Sequence, residues 1–194
     1  MITNTTRRFW FALLSSIAFL VRYRYFKRWF WVIALILGVG FVIPQKMIIP
    51  VAGATTKSWP KDSFWAYPWG TSITHKGIDI FAERGTAVVS ATYGFVVYTH
   101  EGGKGGKSVM VLGPKWRFHY YAHLDSYDAF AFQPVKTGTV LGTVGDTGNA
   151  KGKPPHLHYA ITTPFPYPHL YDKESVQGWK KIFYLNPDIW LRKD

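Results

Sequence analysis

The amino-acid sequence predicts a mainly β domain, built as an antiparallel sheet or sandwich, behind one transmembrane helix at the N-terminus. Short runs of β-branched and aromatic residues recur after residue 85, and glycine-containing turns separate them. A long apolar run, residues 29–43, precedes them. With 18 glycines, 12 prolines and 18% aromatic residues, the composition is typical of a turn-rich β domain and not of a helical bundle.

The transmembrane helix is predicted at residues 29–49. A helix of that length extends about 31 Å, enough to cross a bilayer core of roughly 30 Å. Six Lys or Arg residues precede it, and Lys46 alone lies near its C-terminal end, so we expect a cytoplasmic N-terminus and an external C-terminal domain. A cleaved signal peptide is the alternative, because residues 52–54 (Ala-Gly-Ala) resemble a cleavage site. The basic region before the apolar run is long for such a peptide.

Residues 1–28 are predicted to be a basic cytoplasmic or interfacial segment. Their apolar run, residues 9–21, would form a helix of about 20 Å, which is too short to cross the bilayer core. If this run crossed as well, the basic loop after it would be translocated, against the positive-inside rule.

Charge and cysteine content exclude several classes of function. The formal charge is +12, but seven of the 23 basic residues lie in residues 1–46, where membrane topology explains them, and all 11 acidic residues lie at Asp62 or beyond. The remaining charge is spread along the chain, so we expect no nucleic-acid binding. The chain has no cysteine, so any metal must be bound by His, Asp or Glu.

The rest of the chain divides into three parts. Residues 50–72 are an aromatic lead-in that is expected to pack on the domain and could line one wall of a cleft. Residues 73–163 form the main β domain, with strands predicted at 86–91, 94–98, 108–112, 116–124 and 139–144. Residues 164–194, rich in proline and aromatic residues, are predicted to be a tail packed on that domain.

A pair of histidines, His156 and His158, is at the centre of the predicted site. In a strand the two side chains share one face, whereas Leu157 between them points to the other. A core strand has no use for two adjacent imidazoles on one face, but a metal site does.

Further upstream, His75 and Asp79 offer two ordinary types of zinc ligand. In a fully extended chain they would lie about 13 Å apart, too far to share one ion. Gly77 lies between them, and we expect it to permit the bend that brings the two side chains together. Another histidine, His123, follows a Tyr-Tyr-Ala sequence. His119 shares its strand face, although a structural role is favoured for it.

Together these motifs resemble those of the lysostaphin-type, or LytM-like, zinc metallopeptidases that act on peptidoglycan. The family pattern has a His-x-x-x-Asp pair, a His within Tyr-Ala-His-Leu, and a His-x-His pair. Here they correspond to His75 and Asp79, to His123, and to His156 and His158. The resemblance covers about residues 70–162, with a looser match at residues 184–187.

The resemblance implies that His75, Asp79 and His158 bind one zinc ion and that His123 and His156 are unliganded catalytic residues. Three protein ligands leave the fourth tetrahedral position open, which is typical of a catalytic zinc site. One free histidine would relay a proton and the other would stabilise the oxyanion. The sequence leaves the division between these two roles open.

The resulting hypothesis is a zinc metalloendopeptidase that hydrolyses peptide bonds in peptidoglycan stems or cross-links. It would be a single-pass protein of the bacterial cytoplasmic membrane, with its metallopeptidase domain on the periplasmic or cell-wall side. Its partners would be peptidoglycan and the membrane, and the need for a protein activator stays open.

Two alternatives remain. The first is a non-catalytic peptidoglycan-binding or hydrolase-activator module on the same fold. The resemblance implies that such relatives usually lack some of the site residues, whereas this chain retains all five. The second is a structural metal site in a membrane-tethered scaffold, which would require four protein ligands.

Overall fold

The computed structural model describes residues 4–192, and for residues 4–21 it describes the backbone alone. The chain divides into two compact units, residues 1–42 and residues 43–194.

The first unit is one continuous helix, α1 (Asn4–Val42). It contains the short apolar run at residues 9–21 and part of the predicted span, which the sequence analysis treated as separate segments. Its portion Arg22–Val42 is long and apolar enough to cross a membrane. The helix ends before the predicted boundary at residue 49, because Pro44 cannot continue a helix and disfavours helical backbone at the preceding residue.

The segment after Pro44 belongs to the second unit. Met47 and Ile49 pack against its hydrophobic core, and the Ile48 N–H donates to the Ala91 carbonyl at 3.0 Å. The apolar character of residues 47–49 therefore serves the packing of the β domain.

The second unit is organised by an antiparallel sheet, which contains nine strands within the described residues. The strands are β1 (Ile78–Phe81), β2 (Ala87–Val89), β3 (Gly94–His100), β4 (Lys107–Gly113), β5 (Arg117–Tyr127), β6 (Pro134–Val135), β7 (Val140–Val144), β8 (His156–Thr162) and β9 (Tyr184–Leu185). The main order is β1-β8-β5-β4-β3-β6, while β7 pairs with β2 and β5, and β9 pairs with β8. A short helix, α2 (Asp188–Leu191), follows β9. The predicted mainly β, antiparallel fold is confirmed.

The long strand β5 changes partner in the middle. It pairs with β8 as far as Ala122, which lies opposite His158, and with β7 from Leu124, which lies opposite Val144. His123 lies between these two pairings with a φ of +63°, a conformation that is uncommon for residues other than glycine. β7 and β8 therefore follow each other along one edge of β5 and meet at a bridge between Gly145 and His156, and the candidate site lies beside this junction.

Residues 50–72 are an integral part of the domain. Trp59 and Trp65 are buried, and the Trp59 indole N–H donates to the Asp188 carboxylate at 2.6 Å, which ties the lead-in to the C-terminal helix α2. The Gly70–Ser72 turn, a single turn of 3₁₀ helix, completes the lead-in.

Candidate active site

Three of the predicted site residues, His75, Asp79 and His158, meet at one point. His158 Nδ1 lies 2.8 Å from Asp79 Oδ1, and His75 Nε2 lies 3.0 Å from the same oxygen. The two ring nitrogens are 3.1 Å apart. These atoms belong to the three residues that are predicted from the sequence to bind a metal.

Strand register brings Asp79 and His158 together. They are directly opposite each other in the antiparallel pair of β1 and β8, so their side chains lie side by side on one face of the sheet. His75 precedes β1, and its backbone pairs with the lead-in: its N–H donates to the Ala66 carbonyl at 3.0 Å, and its carbonyl accepts from the Trp65 N–H at 2.6 Å.

Gly77 lies at the bend between His75 and Asp79, as expected. Glycine is needed there because the backbone packs closely against β8. A Cβ atom at this position would lie 2.5 Å from the Tyr159 carbonyl oxygen and 2.9 Å from the His158 ring. No side chain fits into that space. The absent Cβ lets the backbone before β1 approach β8 closely enough for the three ligand atoms to meet.

Two neighbours orient the His75 ring. Its Nδ1–H donates to the Ser63 carbonyl at 2.7 Å, which leaves the Nε2 lone pair directed at Asp79 and His158. Trp69 stacks on the other side, with ring centroids 4.1 Å apart and planes at 17°. Such a carbonyl contact fixes the tautomer in which a histidine can bind a metal.

The donor set fits a zinc ion. With Nδ1 of His75 engaged by the Ser63 carbonyl, Nε2 lies beside the Asp79 carboxylate, where one cation could be bound by both atoms. Tetrahedral ligand atoms at roughly 2.0 Å from zinc lie about 3.3 Å from one another, close to the observed spacings of 2.8–3.1 Å. Two imidazoles and one carboxylate are also a common set in catalytic zinc sites.

The protonation states agree with this assignment. Burial raises the pKa of Asp79, but the contacts with His158 and His75 outweigh burial and hold it well below its usual range. Burial lowers the pKa of His158, against the opposing effect of Asp79. The carboxylate is therefore ionised and the imidazole of His158 is favoured in its neutral, ligating form.

The other two predicted residues, His123 and His156, lie beside the three donors and face each other, with ring centroids 5.1 Å apart. His123 donates from Nδ1 to the Thr147 carbonyl at 2.9 Å, and His156 donates from Nδ1 to the Pro154 carbonyl at 2.7 Å. Each ring therefore has its Nδ1 engaged by the backbone, which leaves Nε2 for contacts within the site. Burial, and then the neighbouring His158 and His156, lower the pKa of His123 to about 4, so its ring is neutral at neutral pH.

All five residues line a cleft of about 790 Å³. Trp69 of the lead-in also lines this cleft, as expected for a segment that forms one wall. Burial, followed by the charges of Lys180 and Lys104, lowers the pKa of the cleft residue Lys76.

We predict that Gly77→Ala will lower zinc affinity by about tenfold or more, because the added methyl group must push the segment before β1 away from β8 and separate the ligand atoms. Zinc affinity can be measured by competition with a chromogenic chelator. Gly85→Ala is the control: a methyl group there meets nothing within 4 Å, although φ is +86°. It should reduce stability by about 1 kcal/mol through backbone strain and leave zinc affinity unchanged. Equal zinc affinity in both variants would contradict the packing role of Gly77.

The fold and the site together define a metallopeptidase of the lysostaphin-like class. Residues 73–172 match Peptidase family M23. Because this match covers more than half of the chain, the protein belongs to Peptidase family M23.

Individual relatives support the same classification. The chain is 36% identical over 128 residues to the L-Ala–D-Glu endopeptidase of Bacillus subtilis, a match of 58% of this chain and 39% of that protein. It is 32% identical over 105 residues to the murein hydrolase activator NlpD of Salmonella typhimurium, a match of 53% of this chain and 27% of that protein. The chain thus spans well under half of the length of these relatives.

Among solved structures, the catalytic domain of lysostaphin from Staphylococcus simulans has a TM-score of 0.56. The match is 22% identical and covers 71% of this chain and 96% of that domain. This likeness shows that the two chains share a fold.

Sequence reasoning missed the groups that orient the site. Trp69 and the carbonyls of Ser63, Thr147 and Pro154 all act on the site histidines. The turn residues 145–149 and the two prolines before His156 were the available signal, but a turn sequence does not reveal where a backbone carbonyl points. His119 has the structural role that was favoured for it, because it is fully buried and its Nδ1 lies 2.7 Å from the Tyr159 hydroxyl.

Proposed function

We propose that this protein is a zinc-dependent endopeptidase that hydrolyses peptide bonds in the stems or cross-links of peptidoglycan. The observation that carries the proposal is the convergence of His75 Nε2, Asp79 Oδ1 and His158 Nδ1 within about 3 Å of one another, with two further imidazoles beside them. A structural metal site would use a fourth protein ligand.

His75, Asp79 and His158 would hold the zinc ion at the floor of the cleft. When bound, zinc supplies Lewis-acid chemistry, which polarises a carbonyl group and makes water available as a nucleophile near neutral pH. The protein residues determine the rest of the reaction. Asp79 contributes a negative charge that lowers the net charge of the metal site, and Trp69 restrains the His75 ring by stacking on it.

His123 and His156 carry out the proton transfers. Each donates its Nδ1–H to a backbone carbonyl, so Nε2 is the ring nitrogen that remains for chemistry in the cleft that both residues line. One accepts a proton from the attacking water and returns it to the leaving amine. The other takes up a proton from solvent at Nε2 and donates it in a hydrogen bond to the negative charge that develops on the carbonyl oxygen.

The N-terminal helix bears on the cellular location. Arg22–Val42 would cross the cytoplasmic membrane once, with the basic N-terminal residues on the cytoplasmic side. The second unit would then face the cell wall, where peptidoglycan lies. A membrane anchor and a signal sequence differ in the mature protein that they predict: an anchor would keep α1, whereas cleavage of a signal sequence would remove it.

The test uses the full chain in detergent, loaded with zinc and incubated with purified peptidoglycan. The released fragments are analysed by mass spectrometry, with His156→Ala as the inactive control and His169→Ala, an exposed histidine outside the cleft, as the active one. We expect new peptide termini with the wild-type protein and His169→Ala but not with His156→Ala. Absence of cleavage by a zinc-loaded wild-type protein would contradict the proposal.

The similarity to NlpD over 105 residues favours a second candidate function, that of a regulator of murein hydrolases. The two functions differ in the same assay. A regulator would increase cleavage by an added peptidoglycan hydrolase and would do so equally well with Ala at His156.

A further inference from the structure

Lysines outnumber acidic residues in the lining of the candidate active-site cleft. Four lysines line the cleft: Lys76, Lys104, Lys153 and Lys180. Among the residues that the structure describes, Asp79 is the only acidic residue lining it, and its carboxylate is already engaged by His75 and His158. The cleft therefore has an excess of positive charge before a metal is added.

Two of these ammonium groups are held in place by backbone oxygens. Lys76 Nζ donates to the Ser72 carbonyl at 2.9 Å, and Lys104 Nζ donates to the Thr71 carbonyl at 3.0 Å. Because these are carbonyls of consecutive residues in the Gly70–Ser72 turn, the two ammonium groups lie on the same short stretch of cleft wall. Within the described part of the chain, neither forms an ion pair with an acidic side chain.

Two of the lysines are close in sequence to residues that form or contact the candidate site. Lys76 directly follows His75, whose ring stacks on Trp69 at the start of the same turn. Lys104 precedes Gly105, whose carbonyl accepts the His123 N–H at 2.9 Å. Both lysines line the same cleft as His75 and His123, so a group bound by the two ammonium ions would share the cleft with the scissile bond.

Lys180 extends the basic wall from a separate element. It lies in the 3₁₀ helix Gly178–Phe183. That helix is tied to the lysine wall through Gln177, whose side-chain oxygen accepts the Thr74 hydroxyl at 3.1 Å. Lys76 Nζ is also 3.1 Å from that hydroxyl. Hydrogen bonds therefore place the ammonium groups of Lys76 and Lys104 on one wall of the cleft, and Lys180 lines the same cleft from the adjoining 3₁₀ helix.

We infer that this wall is a carboxylate-binding subsite, which selects peptide substrates with a free carboxylate beside the scissile bond. The inference rests on the proposed function and deepens it, because it distinguishes acidic stem peptides from uncharged glycine bridges. Each ammonium group can exchange its water contacts for a charge-assisted hydrogen bond to the carboxylate, and the carbonyl hydrogen bonds of Lys76 and Lys104 reduce the entropy that these two side chains lose on binding.

The test compares two forms of a synthetic stem peptide, L-Ala–D-Glu–L-Lys–D-Ala. One has free carboxylates, and in the other the D-Glu α-carboxyl and the C-terminal carboxyl are carboxamides. Binding to the zinc-loaded full chain in detergent is measured by calorimetry in the His156→Ala background, so that turnover does not interfere. We expect the acidic peptide to bind about tenfold more tightly, with the advantage decreasing as salt is added.

Lys104→Gln combined with Lys180→Gln should reduce that ratio to about one, and Lys104→Arg should retain most of it. Lys136→Gln is the matched control, because it removes one positive charge from an exposed position outside the cleft and should leave the ratio unchanged. Equal affinity of the two peptides for the parent protein would overturn the subsite, as would a ratio that the double variant retains. Both outcomes are independent of the peptidoglycan cleavage assay, which alone decides the proposed function.

Discussion

Asp79→Ala should abolish zinc binding and peptide hydrolysis together. The Asp79 carboxylate contacts both His75 Nε2 and His158 Nδ1 through the same oxygen, so its loss removes one ligand and the group that aligns the other two. It also removes the negative charge of the donor set, which leaves two neutral imidazoles to bind a dication. Zinc per chain, measured by atomic emission after dialysis, should fall from about one to background.

His75→Ala and His158→Ala should behave in the same way. Asp128→Ala is the matched control, since Asp128 is an exposed acidic residue outside the cleft, and it should retain zinc and activity. Circular dichroism separates loss of zinc from loss of fold. A correctly folded Asp79→Ala protein that retains one zinc per chain would contradict the assignment of this ligand.

The site was predictable from sequence to the extent that strand geometry determines it. The alternation of side chains along a strand predicted that His156 and His158 share a face, and they do lie in one strand, β8. The need for a bend between His75 and Asp79 also followed from distance alone. That Gly77 meets this need through close packing against Tyr159 was not predictable, because it depends on which strand lies opposite.

The remaining differences between the predicted and the observed structure have physical causes that a single sequence does not show. Residues 47–49 are apolar enough to extend a membrane span, but Pro44 ends the helix and the domain core takes up the side chains that follow. The left-handed backbone at His123 marks the point where β5 exchanges β8 for β7. A histidine in the sequence does not indicate left-handed backbone, whereas a glycine at this position would have suggested it.

His123→Ala should lower kcat by about 10²–10⁴-fold and leave zinc content unchanged. In the proposed mechanism His123 lies beside the metal ligands and takes part in proton transfer without binding the metal. Its Nδ1–H is committed to the Thr147 carbonyl, so the change removes the basic Nε2 and leaves the ligand atoms of His75, Asp79 and His158 in place. The expected pattern is a large fall in kcat, a small change in KM and about one zinc per chain.

His156→Ala should show the same pattern, and the double variant tests whether the two histidines act as one unit. Because both take part in a single proton-transfer sequence, we expect the double variant to lose little more activity than either single variant. If the two histidines contributed independently, the fold-losses in kcat of the single variants would multiply in the double variant. His123→Asn adds a control for the backbone, since asparagine tolerates the left-handed conformation at this position better than alanine. If His123→Asn restored activity, the role of His123 would be conformational and not catalytic.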